Sequence, residues 1–118
     1  MAKYALFLHE QPGDNAGMSQ PEIEKMVGDY MSWAQMLGHQ GHLVSGEKLS
    51  DAGGRHLRRR NGALQASDGP YAPSREIIGG LFVIAAKDMA EAEKISATCP
   101  HLKYGKNAWI ELRAIDEL

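Results

Sequence analysis

The sequence predicts a single α+β domain in which two helices cover one face of an antiparallel sheet. Three observations lead to this prediction. Two segments repeat apolar residues at helical spacing, four segments are rich in strand-forming residues, and an Asn-Gly pair separates two further extended runs. At 118 residues the chain is long enough for one hydrophobic core. We therefore interpret residues 1–118 as one domain.

The first half of the chain predicts a strand, a helix and a second strand. Residues 4–9 favour a strand that ends at a Gln-Pro-Gly-Asp turn, and residues 42–49 favour a strand interrupted at Gly46. Between them, Ser19 can cap a helix that ends near Leu37. Its predicted apolar face consists of Ile23, Met26, Val27, Tyr30, Ala34 and Leu37, with Trp33 at the border.

The second half predicts a hairpin, a strand, a helix and a last strand. Asn61-Gly62 is a strong hairpin signal, because both residues tolerate positive φ. Residues 80–86 are apolar on both faces, which is typical of a central strand. Asp88 can cap a helix that ends before Pro100. Residues 108–115 alternate, so Trp109, Glu111 and Arg113 share one face of the last strand.

This order of elements is the ferredoxin-like βαββαβ arrangement with an inserted β-hairpin. The helices would cover one face of the sheet and leave Phe7 and Trp109 on the other. An apolar face of this size needs a cover, and a second copy of the chain is the simplest one. We therefore expect a homodimer whose sheets face each other.

Composition excludes several classes of protein. The net charge of −2 gives no overall electrostatic attraction to nucleic acid, so we do not expect a nucleic-acid partner. The Arg55–Arg60 run also lacks the interspersed aromatic residues of a nucleic-acid-binding motif. Cys99 is the only cysteine, which fits a reducing compartment. No apolar stretch approaches the ~20 residues of a membrane span. These observations predict a cytoplasmic protein without a membrane partner.

The chain also resembles a known family. The segments DGPY, EIIGGLFVIAA, CPHLKYG and WIELRAI, in this order, resemble the YCII-related family, and DGPY resembles the branch named for an Asp-Gly-Pro-Phe motif. The resemblance implies a dimeric α+β barrel of ferredoxin-like subunits. Tyr71 replaces the Phe of that motif. The His-Asp pair thought to be catalytic in founding members is also absent, because Tyr30 and Cys99 stand at the matching positions.

The Asp-Gly-Pro turn supplies the first candidate site residues. Asp68 can act as a proton acceptor or donor if the turn projects it beside a pocket, together with Tyr71 and Glu76 as ligand-binding residues. The alternative is that Asp68 only organises the turn by accepting backbone N–H bonds. Both interpretations remain open at the level of sequence.

The last strand and the first strand supply the other candidates. Glu111 is a candidate proton-transfer group, Arg113 a candidate anchor for a substrate carboxylate, and Trp109 a candidate ligand-binding residue. The alternative is a structural Glu-Arg ion pair. His9 shares a face with Phe7 and is a third candidate acid or base, or else a partly buried histidine with a structural hydrogen bond.

The sequence contains no zinc-ligand spacing and no phosphate-binding glycine loop, so we predict neither a metal nor a cofactor. Two functions remain. The first is a lyase, isomerase or dehalogenase that acts on a small oxygenated carboxylate or lactone, as the resemblance implies for some members. The second is a non-catalytic binding or regulatory protein linked to sigma factors, with the Arg55–Arg60 hairpin as its contact surface.

Overall fold

The computed structural model describes residues 1–52, 54–69 and 76–118. Its elements in chain order are β1 (Ala2–Glu10), α1 (Gln20–His39), β2 (Leu43–Lys48), β3 (Gly54–Arg60), β4 (Ala63–Gly69), β5 (Ile77–Ala86), α2 (Met89–Ser96), a 3₁₀ turn (Pro100–Lys103) and β6 (Trp109–Ala114).

Four of the strands form one sheet in the order β2-β5-β1-β6, and every neighbouring pair is antiparallel. Without β3 and β4, the connectivity is that of a ferredoxin-like domain, in which each helix links two strands that flank a third. The predicted α+β fold class is confirmed. β5 lies inside the sheet, as its apolar sequence on both faces predicted.

Both helices begin at the predicted caps. The Ser19 side chain accepts a hydrogen bond from the Glu22 backbone N–H, and the Glu22 carboxylate accepts one from the Ser19 backbone N–H. The Asp88 side chain accepts one from the backbone N–H of Glu91 at the start of α2. These bonds satisfy N–H groups that would otherwise lack a partner in the first turn.

The buried face of α1 is the predicted one except at Val27 and Trp33. Trp33 is 5% exposed and belongs to the core, whereas Val27 is 48% exposed. The Trp33 indole packs edge-on against Phe82, with ring centroids 5.1 Å apart, and its Nε1–H donates to Thr98 Oγ1. An indole removes more apolar area from water than a valine side chain does, so the helix turns Trp33 inward.

β2 runs through Gly46, so the predicted interruption of this strand is wrong. Gly46 lies opposite Phe82, and a Cβ atom at this position would lie 2.5 Å from the Phe82 ring. The glycine therefore provides room for the aromatic ring that packs on Trp33.

The core lies between the sheet and the two helices. Leu6, Leu37 and Ile84 are its largest fully buried side chains. The opposite face of the sheet carries Ala5, Phe7, Leu81 and Val83 and the side chains of β6 that the alternation predicted. The described residues span only 18 Å in their shortest dimension, which is the thickness of two layers. We call this second face the open sheet face.

β3 and β4 form a separate two-stranded sheet joined by Asn61 and Gly62, with φ angles of 51° and 77°. These positive values are those that the Asn-Gly pair predicted. Nearly every residue of this hairpin is exposed, including Leu57 and Leu64. The hairpin therefore adds nothing to the core of the subunit.

Candidate active site on the open sheet face

The pairing of β1 with β6 places the side chain of His9 beside Trp109. This ladder runs without a shift as far as the His9–Trp109 pair. On the other side, the pairing of β1 with β5 shifts between Leu8 and His9, because Gly79 is an extra residue in β5. The His9 imidazole and the Trp109 indole form a stack and lie 4.0 Å apart between centroids, with planes 8° from parallel.

The stacked imidazole also contacts a carboxylate. His9 Nε2 lies 2.9 Å from Glu111 Oε1, and the two side chains are 15% and 39% exposed. An ionised carboxylate only accepts hydrogen bonds, so the proton of this bond belongs to His9 Nε2. In the neutral imidazole, Nδ1 is then the nitrogen with a free lone pair.

A second carboxylate holds the indole. Trp109 Nε1–H donates to Glu76 Oε1 across 2.9 Å, which links the residue before β5 to the first residue of β6. Glu76 thus contacts the indole at its N–H, and His9 contacts it at its face. We call His9, Glu76, Trp109 and Glu111 the His9 cluster.

The other predicted site residues lie elsewhere. Arg113 is on the open sheet face opposite Ala5, two residues beyond Glu111 and therefore about 7 Å further along the strand. Asp68 pairs with Arg55 on the hairpin across 2.6 Å, its side chain is 97% exposed, and it makes no described contact with the His9 cluster. Tyr71 lies outside the described residues, as does Pro70 of the predicted turn.

Behind the sheet lies a histidine that the sequence analysis did not single out. His101, in the 3₁₀ turn, is 4% exposed, and its Nε2 lies 2.8 Å from the backbone oxygen of His9. Its Nδ1 lies 3.1 Å from the Tyr30 hydroxyl oxygen. Burial raises the pKa of Tyr30, so this hydroxyl stays protonated at neutral pH. His101 and His9 are 92 positions apart in the sequence, and no local sequence signal predicts their contact.

Two concave regions of the described chain are lined by residues other than those of the His9 cluster. A groove of about 480 Å³ runs between α1 and the 3₁₀ turn, lined by Asp29, Cys99 and Lys103 among others. A second one, of about 270 Å³, lies at the end of β1 beside Glu10 and Asp14. Burial raises the pKa of Glu10 above its usual range. The His9 cluster itself lies on an uncovered surface of the single subunit.

Within residues 1–52, 54–69 and 76–118, no group of three acidic, histidine or cysteine side chains is arranged to hold a metal ion. Neither α-helix in this part of the chain combines the length and the apolarity that crossing a bilayer requires.

Fold and site together define an α+β domain with ferredoxin-like topology and an imidazole–carboxylate pair on its open sheet face. The model of the YCII-related domain matches residues 2–116, which is nearly the whole chain, and the protein belongs to this family. No curated protein matches the sequence.

Proposed function

We propose that this protein is a cofactor-free enzyme that uses acid–base catalysis on a small oxygenated carboxylate or lactone, as a lyase, isomerase or dehalogenase. The single observation that carries the proposal is the pair of His9 and Glu111, held flat against Trp109. A histidine oriented by a carboxylate is a common arrangement for moving protons. The free Nδ1 of His9 takes a proton from the substrate or returns one to it.

The geometry supports different roles for the two groups from those that the sequence suggested. Glu111 accepts the Nε2–H bond, so it orients the imidazole and stabilises its protonated form, as carboxylates do beside catalytic histidines. His9 is then the proton-transfer group. Trp109 limits rotation of the ring, and Glu76 limits rotation of Trp109. Asp68, exposed and paired with Arg55, remains the less favoured candidate base.

Arg113 is the proposed anchor for a substrate carboxylate. It shares the open sheet face with the His9 cluster, and the described residues place no carboxylate against it. The Ala5–Arg113 pair and the His9–Trp109 pair are four residues apart along the ladder, which is about 13 Å. Phe7 lies between them, so the long Arg113 side chain has to reach towards His9 over an apolar floor to hold a small substrate.

A second copy of the chain is the proposed cover for this site, giving the dimeric α+β barrel of the Asp-Gly-Pro-Phe branch. Phe7, Leu81 and Val83 line the open sheet face, and proton transfer gains from exclusion of water. Two open faces packed together would enclose a cavity with a His9 cluster from each subunit. We place the protein in the cytoplasm, since its one cysteine, Cys99, is free and buried.

A thermal-shift screen tests the proposal with hydroxy- and keto-carboxylates, lactones and chlorinated aromatic acids, followed by turnover assays on each hit. A ligand at 100 times its dissociation constant adds about 2.7 kcal/mol to the free energy of unfolding, which raises Tm by several degrees. We expect turnover to be lost in His9→Gln and strongly reduced in Glu111→Gln, with both variants folded.

Glu47→Gln is the matched control. Glu47 lies on β2 opposite Leu81 of the open sheet face, outside the His9 cluster, so its loss should leave turnover unchanged. Full activity in His9→Gln would show that the imidazole is not the proton-transfer group. A screen without any hit would shift the balance towards the second candidate below.

The second candidate is a non-catalytic protein that binds a partner through the β3–β4 hairpin, such as a component of transcription initiation. One observation favours it: Leu57 and Leu64 are 65% and 60% exposed on the hairpin face that also carries Arg55 and Arg59. Exposed apolar residues ringed by arginines suit a protein surface. Loss of partner binding in Arg59→Glu, with binding retained in Arg58→Glu on the opposite hairpin face, would support this function, and retained binding in Arg59→Glu would contradict it.

A further inference from the structure

The backbone of His9 is held from the side opposite the His9 cluster. A backbone carbonyl oxygen only accepts hydrogen bonds. His101 Nε2 lies 2.8 Å from the carbonyl oxygen of His9, so this nitrogen carries the proton of the bond. His101 therefore has its proton on Nε2. With Nδ1 unprotonated, the Tyr30 hydroxyl donates to it across 3.1 Å. The chain of donors runs from Tyr30 through His101 to the peptide of His9.

This chain of hydrogen bonds ends at the peptide that carries the His9 side chain, so it can control the direction of that side chain. Beside Leu8 and His9 the regular pairing of β1 with β5 is interrupted, because Gly79 of β5 is an extra residue there. The ladder on that side therefore constrains the His9 peptide less, and a hydrogen bond from outside the sheet can fix its orientation. A buried imidazole, 4% exposed, is a rigid donor because the surrounding core restricts its rotation.

We propose that His101 is a positioning residue for His9: its Nε2–H fixes the His9 peptide, opposite the bulge of β5, so that the His9 ring stacks on Trp109 and reaches Glu111. Tyr30 sets the tautomer of His101 by donating to Nδ1. The inference rests on the proposed function for the importance of His9. Its structural content, the control of the His9 ring by His101, stands without a known substrate.

The test uses the full-length protein labelled with ¹⁵N at histidine, whose tautomers and ring protons are followed by NMR. His9→Gln identifies the His9 signals. In the wild type, we expect both His9 and His101 in the Nε2–H form, and the His9 ring protons shifted upfield by the Trp109 indole. In His101→Leu, which fills space without a donor, the upfield shift and the single tautomer of His9 should be lost.

Two further variants separate positioning from stability. His101→Gln keeps an N–H donor and should restore most of the His9 signature. His42→Leu removes a comparable bond elsewhere, between His42 Nδ1 and the Ala85 backbone oxygen at 2.7 Å, and should leave His9 unchanged. A folded His101→Leu variant with unchanged His9 signals overturns the proposal, and so does an equal loss in His42→Leu.

If His101→Leu does not fold, Tyr30→Phe decides the question. It removes the hydroxyl that sets the tautomer, so the His101 signals should show both tautomers and the His9 ring protons should move. Unchanged His9 signals beside mixed His101 tautomers in Tyr30→Phe overturn the proposal, and a single, unchanged His101 tautomer overturns the role given to Tyr30. Failure of the proposed function is distinguishable, since it appears as an absence of turnover or ligand binding while these spectra still change as expected.

Discussion

The imidazole of His9 and the indole of Trp109 lie face to face, with centroids 4.0 Å apart and planes only 8° from parallel. When His9 takes up a proton, this stack places a cation over an aromatic face, a contact worth about 0.5–1 kcal/mol where it is exposed. Glu111 Oε1 contacts the edge of the same ring, 2.9 Å from Nε2. The stack thus serves to hold the ring and to stabilise its charge.

The stack makes Trp109 a reporter for His9. A protonated imidazole in contact with an indole quenches its fluorescence, so the emission of Trp109 should fall as the pH is lowered and His9 is protonated. Trp33 is buried against Phe82 and provides a background emission. The pH-dependent component should disappear in His9→Gln and persist in His56→Gln on the exposed hairpin. Its persistence in His9→Gln would contradict the assigned contact.

The open sheet face should form the dimer contact. Phe7→Asp places a charge at its centre, beside Leu81 and Glu111, without touching the core on the helix side. We expect the wild type to have the mass of a dimer by light scattering and Phe7→Asp the mass of a monomer with the same circular dichroism. Met31→Asp, at a 60% exposed position on α1, is the control and should remain dimeric. A monomeric wild type would refute the proposed cover.

Two glycines should respond to alanine with opposite signs. In Gly46→Ala the new Cβ would lie 2.5 Å from the Phe82 ring, which is itself packed on Trp33, so we expect a loss of about 1–3 kcal/mol. In Gly28→Ala the Cβ meets nothing within 4 Å inside α1, so a gain of about 0.5–1 kcal/mol is expected. Urea unfolding measures both, and a common sign would contradict the packing described at Gly46.

Asp29 should make stability depend on pH in strongly acidic solution. Hydrogen bonds from the Tyr104 hydroxyl and then from Lys25 lower the pKa of Asp29 to about 2. Because the folded-state pKa is below the ordinary value of 3.8, the resulting stability is present above that value and is lost as the pH falls through about 2.

The free energies of unfolding of the wild type and Asp29→Asn should therefore differ at neutral pH and converge between about pH 4 and about pH 2. Urea unfolding at several pH values measures this difference. Tyr104→Phe removes the largest cause of the lowered pKa and should show a weaker pH dependence than the wild type. A difference between wild type and Asp29→Asn that stays constant down to pH 2 would contradict the assignment.

Local signals in the sequence predicted most of the fold. The capping box of Ser19 and Glu22 and the turn of Asn61 and Gly62 are formed between residues at most three positions apart. The alternation of β6 also placed Trp109, Glu111 and Arg113 on one face correctly. The spacing of apolar residues and the helix caps depend on local backbone geometry alone. They can therefore be recognised in the sequence without knowledge of the tertiary structure. The inward position of Trp33 was missed, because it depends on the ring of Phe82 on another element.

The sequence by itself determined the order of elements, the fold class and the family, and all four residues of the His9 cluster were among its candidate site residues. Only the tertiary structure decided which of the candidates meet. His9 and Glu111 are 102 positions apart, Glu76 and Trp109 are 33 apart, and Asp68 lies instead against Arg55. These contacts follow from strand register, and register is set by how the whole sheet buries its core rather than by any local segment.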